Sequence, residues 1–582
     1  MQRRDLFKGV AASALAPALS ATSSAFANAD RAKPGGPGWP DEAAWSRLRA
    51  EVGGHLIRPS AIVAPCVVDA KSPACTALFK DLANPYFIGD QAGGTQVSGW
   101  LDAWTPSVSP YAVAASTTAD VVAAVNFARR HNLRLAVKGG GHSYQGTSNA
   151  PNSLLIWTRH MNQITVHDAF TPAGGASPVP AVSIGAGAMW VDAYDAVTTK
   201  AGRYVQGGGC TTVGVAGLIL GGGFGSFSKR YGLAAASLIE AEIVTADGRA
   251  RVVSAHHDPD LFWALKGGGQ CALGVVTRLT LRTHELAAEA GSCSGVLSAT
   301  SDDDFRRLLG RFVDLVADKL ISPHWGESVQ ITPSNRIEVN MAFQGLTGPE
   351  AKATWQPLID WVASAGPDFS HDGPRALAEP MRAMWDFAAD RRLPFVKFDP
   401  RHGAPVHHAW WSGDSDQVSM FIHGYDSLWL PASLLAPAER SRLADGLFAA
   451  SRHFDVGLHF NKGLAGAPPE AIAASRNAAT NPAVLDAFAL AIIATGGLPD
   501  YPGYPKPNLE AARRTSKRID AATAALRPLA PAGGSYVSES NYFNADWRSA
   551  FWGANYPRLA AIKARYDPGG LFVVHHGVGS EI

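Results

Sequence analysis

The chain has 582 residues, 46% of them hydrophobic, and a formal net charge of +1. That length exceeds what one small core absorbs, so two or more domains are expected. The near-neutral charge gives a nucleic-acid partner no electrostatic support. With 59 glycines and 38 prolines, a loop-rich α+β chain fits better than a helical bundle.

The first residues, MQRRDLFKGVAASALAPALSATSSAFA, place Arg3 and Arg4 before a weakly apolar, alanine-rich run and a small-residue cleavage site at 25–27. Residues 1–27 read as an export signal of the twin-arginine type, which carries folded proteins out of the cytoplasm. The location expected is periplasmic or secreted. No long apolar run follows, so no membrane span is expected. Residues 28–105 form an N-terminal extension, polar and weakly periodic. In it Cys66 and Cys75 are a disulfide candidate pair in an oxidising compartment, at a spacing that fits neither a C-x-x-C redox site nor a zinc cluster.

From 106 the pattern sharpens. SPYAVAAS reads as a strand and TTADVVAAVNFARRHN as a helix with a Thr/Asp start and basic residues at its end. LRLAVKGGGHS is a strand running into a glycine loop. SLLIWTR, AVSIGAG and RYVQGGG are further strands, and MWVDAYDAVTTKAG is a helix closed by glycine. LIEAEIVTADGRARVVSA is a hairpin turning at Asp247–Gly248. Between 286 and 535 longer helices are predicted, at 302–319, 348–364, 436–453 and 507–527, with strands between them. Cys293 there reads as a small core residue. A last segment, 536–582, holds a helix at 555–566.

Glycine triplets stand at three places within about 130 residues: KGGGHS, GGGC followed by GGGFG, and KGGGQC. Glycine lets backbone approach a phosphate or a flat ring with its N–H groups turned inward. The G-x-G-x-x-G dinucleotide fingerprint is not satisfied, and no G-K-[ST] ending makes a P-loop. A dinucleotide site of another kind remains.

The stretches VKGGGHSYQGTS, GGGCTTVGVAGLILGGGFGSFSKRYGLAAASLIEAEIVTADG and DLFWALKGGGQCALGVVT resemble the FAD-binding domain of the vanillyl-alcohol-oxidase (PCMH-type) superfamily. Its berberine-bridge-enzyme-like oxidases match best. NYFNADWRSAFWGANYPRLAAIKARYDPGGLF is similar to that family's C-terminal segment, and the layout, early cysteine pair included, is similar to fungal isoamyl-alcohol-oxidase-like proteins. The resemblance covers 106–285 and 536–578 well and 286–535 poorly.

It implies a two-lobed PCMH-type FAD-binding domain at 106–285, an α+β substrate domain with an antiparallel sheet at 286–535, and a C-terminal segment returning to the first. It also implies bicovalent FAD, with His142 bound to the flavin 8α-methyl and Cys210 to flavin C6. A neutral imidazole nitrogen and a thiolate are the side-chain nucleophiles suited to those electrophilic carbons. Further cofactor contacts are expected from Lys138, Gly139, Gly140, Gly141, Ser143, Gly146, Gly208, Val213, Gly214, Gly217, Gly221, Gly222, Gly225, Gly232, Val244 and Asn544. Cys271 reads as packing near the flavin phosphates. Val213 matches a position where a small valine goes with oxidases.

The expected reaction is hydride transfer from an alcohol, carbohydrate or aromatic substrate to flavin N5, with dioxygen reduced to hydrogen peroxide. A base of tuned pKa must take the hydroxyl proton. Tyr542 and Asn544, in a Tyr-x-Asn motif, and His459 are the candidate catalytic residues. Glu539, Lys462, His423, Tyr425 and Asp426 stand behind them. Trp385, Trp410, Trp411 and Trp429 read as core or as a substrate platform. A metal site at His407–His408 is rejected, because adjacent residues on a strand point to opposite faces. Two alternatives stay open: a dehydrogenase using another electron acceptor, and a flavin-binding protein without turnover.

Overall fold

The computed structural model describes residues 31–580, apart from 176 and 390–393. The export signal expected at 1–27 lies outside the described residues.

Residues 28–105 hold more order than their weak periodicity suggests. The helices there run Glu42–Glu51, Ala64–Val68, Pro73–Asp81 and Pro85–Gly89. Three of the four are short and have proline in their first turn, so no periodic stripe accumulates. Cys66 and Cys75 are disulfide-bonded. Leu56–Ile57 pairs antiparallel with Tyr111–Ala114, which stitches this segment onto the next lobe.

That lobe has two sheets. The first orders Leu56–Ile57, Tyr111–Ala114, Ser153–Trp157 and Arg134–Lys138, the last three parallel. Its helix, Thr118–Arg130, starts at a Thr117/Asp120 capping box and ends on Arg129 and Arg130, as the sequence predicts. The second sheet orders Ile164–Phe170, Val179–Gly185, Val275–Arg282, Leu238–Val244 and Ala250–Ser254, all antiparallel. The predicted hairpin forms its edge. The glycine triplets sit in the loops after Arg134–Lys138, after Arg203–Tyr204 and after the helix Pro259–Leu265.

The other lobe is one seven-stranded antiparallel sheet. Its order is Phe369–Pro380, Glu289–Ala299, Arg336–Gln344, Trp325–Thr332, Val456–His459, Ala487–Gly497 and Phe421–Pro431. Helices Asp302–Leu315, Gly348–Ser364, Arg440–Ser451 and Leu509–Leu526 cover one face, and Cys293 is buried beneath them. The side-chain period of 2 sends alternate residues to the opposite face. There Ser328, His459, Leu490 and Trp429 stand in one cross-strand row, and this bare face turns toward the glycine loops. Among the described residues no helix is long and apolar enough to cross a membrane.

The lobes are pinned by a buried lysine. Lys229, on the short helix Ser228–Tyr231, donates to the carbonyls of Gly463 at 2.7 Å, Ala465 at 3.2 Å and Phe488 at 2.9 Å. Each acceptor is a loop or strand carbonyl, and those of Gly463 and Phe488 are buried from water. Lys229→Met removes the donor and keeps the stem. It should cost about 3 kcal/mol, read as a lower unfolding midpoint in denaturant; an unchanged midpoint would mean the lobes are held elsewhere.

Candidate active site

The first glycine loop turns sharply after Lys138. Gly141 has φ +82°, a left-handed value that glycine adopts without strain. A Cβ on Gly140 would lie 3.1 Å from the carbonyl oxygen of Thr212 and 3.5 Å from the nitrogen of Gly214. The first and second glycine loops therefore meet backbone to backbone. The helix that follows closes the unit from behind, since Trp190 and Val191 donate their amides to Val213 and Thr211.

This contact brings His142 and Cys210 to one place. His142 Nε2 lies 3.0 Å from the hydroxyl of Thr212, two residues after Cys210. Burial pulls the His142 imidazole down to about 4, so at neutral pH it is uncharged and nucleophilic. Cys210 departs from the expected thiolate. Burial, then the adjacent Asp414, push its thiol well above the usual range, against a smaller opposing pull from Lys462. The thiol is hydrogen-bonded to Asp414, which is placed to take its proton. Both residues lie deep in the protein yet keep accessible surface, as do Ser143 to Thr147.

Carboxylates supplied by the far lobe surround the thiol. Asp414 sits in the turn Ser412–Gln417. Burial and the charge of Glu327 raise it to about 6, although its bond to Cys210 works the other way. Its second oxygen, Oδ2, is buried without a protein partner. Glu327 stands on strand Trp325–Thr332 with φ +61°, accepts from Ser226, and is held above the usual carboxyl range by burial. Glu539 pairs with Lys462 at 2.5 Å, the two side chains being 20% and 13% exposed. Tyr144 stands 5.4 Å from Tyr425, ring to ring, and gives its hydroxyl to Gln417.

Several expected residues fall elsewhere. Tyr542 stacks on His575 at 3.8 Å and 11° and lines, with Trp104, Arg134 and His575, a cavity of about 290 Å³ that also touches Gln145, Gly146 and Thr147 of the first glycine loop. The side-chain oxygen of Asn544 is spent on the amide of Asp546 in its own turn. His459 keeps some accessible surface in the row facing the glycine loops, and desolvation, then Lys462, hold it well below the usual imidazole range. Lys138 spends its ammonium on the carbonyls of Gln91, Ala92 and Gly94, so its side chain anchors the N-terminal extension. Val244 is packed in the core under the helix Thr118–Arg130. Gly146, Gly222 and Gly232 have φ between +69° and +99°, and Gly225 presses on the carbonyl of Gly207; these shape the loops. Gly217 has open space where a side chain would stand. Cys271 is pushed up to about 12 by burial and is inert at neutral pH.

The four tryptophans are accounted for locally, Trp410 being buried with its indole N–H given to the Ser415 hydroxyl at 3.2 Å. Trp429 is buried and gives its indole N–H to the carbonyl of Lys462. Trp385 stacks on Tyr194 at 4.2 Å. Trp411 donates to the carbonyl of Gly209 at 3.1 Å, beside Cys210. His407 and His408 do not lie on a strand. They occupy the turn before Ala409–Trp411, and both rings reach the same oxygen of Asp192. The alternation argument used on the sequence does not apply to them.

The site suits a flat group with polar edges. Its floor is bare backbone, a nucleophile stands on each loop, and the buried oxygens Gln145 Oε1, Asn461 Oδ1 and Asp414 Oδ2 lack partners. A flavin meets those demands.

Known proteins agree. The family described as "FAD binding domain" matches residues 109–254, and "Berberine and berberine like" matches 504–579, starting upstream of the segment expected at 536. The chain is 29% identical over 599 residues to the VAO-type flavoprotein oxidase VAO615 of Thermothelomyces thermophilus, covering 95% of this chain and 93% of that protein. It is 28% identical over 579 residues to an uncharacterized FAD-linked oxidoreductase of Arthroderma benhamiae, covering 94% and 93%. Among solved structures, the VAO-type flavoprotein MtVAO615 of Myceliophthora thermophila C1 matches with TM-score 0.77 at 25% identity, covering 95% of this chain and 97% of that one. The glucooligosaccharide oxidase of Acremonium strictum, which carries 6-S-cysteinyl, 8α-N1-histidyl FAD, shares the fold with TM-score 0.63 at 20% identity, covering 83% and 94%.

The thiol and its carboxylate neighbour make a testable pair. In flavin-free protein, Asp414→Asn removes a negative charge beside Cys210, so its thiol should titrate lower. Alkylation of Cys210 at pH 8, followed by peptide mass, should be several-fold faster than in the wild type. An equal or slower rate would separate the two groups.

Proposed function

We propose that this FAD-linked oxidoreductase, similar to VAO-type flavoproteins and carrying a berberine-like C-terminal segment, oxidises a small-molecule alcohol or carbohydrate at a bicovalently held flavin, passing the electrons to dioxygen. The observation that carries this reading is the meeting of the His142 and Cys210 loops across the Gly140–Gly214 contact, with His142 on the hydroxyl of Thr212. Either nucleophile alone has other uses. Two of them on abutting glycine loops, inside an FAD-binding domain, match the attachment carried by the glucooligosaccharide oxidase of the same fold.

Bound FAD supplies the hydride acceptor, N5 of its ring. The remaining work falls to side chains of this chain. His142, neutral at working pH, offers a ring nitrogen for the bond at the 8α carbon. Thr212, with its hydroxyl 3.0 Å from Nε2, orients the imidazole. Asp414 is placed to accept the Cys210 thiol proton and release it to solvent; with Cys210 attached to a bound flavin, its carboxylate would have no donor and would be free inside the cleft. We assign it the substrate's hydroxyl proton. Held at about 6 with the Cys210 bond pulling it down, it moves higher when that donor is lost, which keeps it matched to proton transfer close to neutrality. The Lys462–Glu539 pair stands beside it as donor and acceptor for the substrate's oxygen. Tyr144 and Tyr425, both pushed well above the usual phenol range by burial, stay protonated and donate. Tyr542 has no part in this scheme. Val213, small and partly exposed beside Cys210, leaves room for dioxygen.

Two predictions follow from these roles. After acid precipitation the yellow colour should stay with the protein. It should also stay in His142→Ala and in Cys210→Ala, each keeping one bond, and leave only in the double variant; release from either single variant would contradict two attachments. The wild-type kcat should rise with pH above about 6 as Asp414, without the Cys210 bond that lowers it, ionises. Asp414→Asn should lower kcat by about 10²–10⁴ and abolish that limb, with peroxide formation under air as the readout. A limb that survives in Asp414→Asn assigns the proton to another group.

A further inference from the structure

Behind the Cys210 loop lies a cluster that neither flavin attachment nor substrate oxidation uses. The side-chain nitrogens Nε2 of His407 and His408 stand 3.1 Å and 3.2 Å from one oxygen of Asp192. These ligand atoms all lie within 4.8 Å of one another. A tetrahedral zinc ion with bonds of about 2.0–2.1 Å spaces its ligand atoms about 3.3 Å apart. The two distances to Asp192 are those of a coordination shell.

The outer nitrogens add a second, independent sign. His407 Nδ1 faces Asp195 at 3.5 Å, and His408 Nδ1 faces Asp399 at 3.9 Å. Metal-bound histidines usually give their other ring N–H to a carboxylate, which fixes the tautomer. If His408 instead keeps its proton on Nε2 for Asp192, its bare Nδ1 is left facing a carboxylate. His408 Nδ1 is indeed buried without a hydrogen-bond partner.

Charge points the same way. Asp90 is paired with Arg159 and Arg401, Asp399 with Arg401, and Asp195 with Lys200. The close polar partners of Asp192 are the two histidines and the amide of Met189. A half-buried carboxylate facing two imidazoles suits a cation by its chemistry.

The geometry points to a divalent-metal site, best suited to Zn²⁺, with Asp192, His407 and His408 as ligands and water completing the shell. Asp192 and His407 are 19% and 17% exposed, enough to admit that water. The ion ties the helix Trp190–Tyr194 to the segment 399–411, which leads into Trp411 at Gly209 and Asp414 at Cys210. Its role is a clip that holds this segment against the Cys210 loop. Tyr86 seats the clip from the third side, stacking on His408 at 4.2 Å and donating to the carbonyl of Ala409.

The test uses untagged holoenzyme. Metal analysis after gel filtration in metal-free buffer supplemented with Zn²⁺ should find about one zinc per chain. Asp192→Asn keeps the shape and the bonds to the histidines but weakens coordination. It should lose at least tenfold in zinc affinity, and His408→Gln should do the same. Stripping the wild type with a chelator should lower its melting temperature, and Zn²⁺ alone should restore it. That arm depends on no variant. A wild type that retains no zinc, or an Asp192→Asn that binds it equally well, overturns the assignment and leaves the two histidines sharing a proton with Asp192. The flavin chemistry stands or falls separately, since none of these ligands carries it.

Discussion

The contact between Gly140 and the Thr212–Gly214 backbone is the constraint on which the rest of the site depends. Two loops 70 residues apart touch through main chain because neither carries a side chain there. Any Cβ at Gly140 would press on a carbonyl oxygen at 3.1 Å. The contact sets the distance from His142 to the Cys210 loop, and the helix behind it locks the register through the amides of Trp190 and Val191. A flat group laid on this floor meets backbone from below and two nucleophiles at its edge.

What lies above the floor comes from the other lobe. The seven-stranded sheet gives one face to its helices and the other to the cleft. Glu327, Lys462 and Asp414 enter from that lobe, and Glu539 from the C-terminal segment. Burial makes these charges strong neighbours. It raises the Cys210 thiol and brings Asp414 to about 6, so the same desolvation that silences a free cysteine prepares a base beside it. The lobes must therefore be held in fixed register, which the three carbonyl bonds of Lys229 provide.

The floor was legible in the sequence because glycine triplets and their nucleophiles are local signals. The same holds for the helix Thr118–Arg130 with its capping box and for the hairpin at Asp247–Gly248. The far wall was not. Glu327 is a lone acid whose left-handed backbone no motif announces, and Asp414 lies in a short turn 204 residues from Cys210. Its motif favours Tyr542 over Glu539, yet three residues of chain separate Glu539, paired with Lys462, from Tyr542, stacked on His575. His407 and His408 were dismissed on a strand's period, but they sit in the turn before the strand, where that period has no force.

The central claim is that His142 and Cys210 hold one ring between them. Digestion of the purified holoenzyme followed by mass spectrometry tests it most directly. The account predicts one species in which the peptide bearing His142 and the peptide bearing Cys210 are joined through a flavin, with the mass of both peptides plus the cofactor. Recovery of both peptides at their unmodified masses would contradict it.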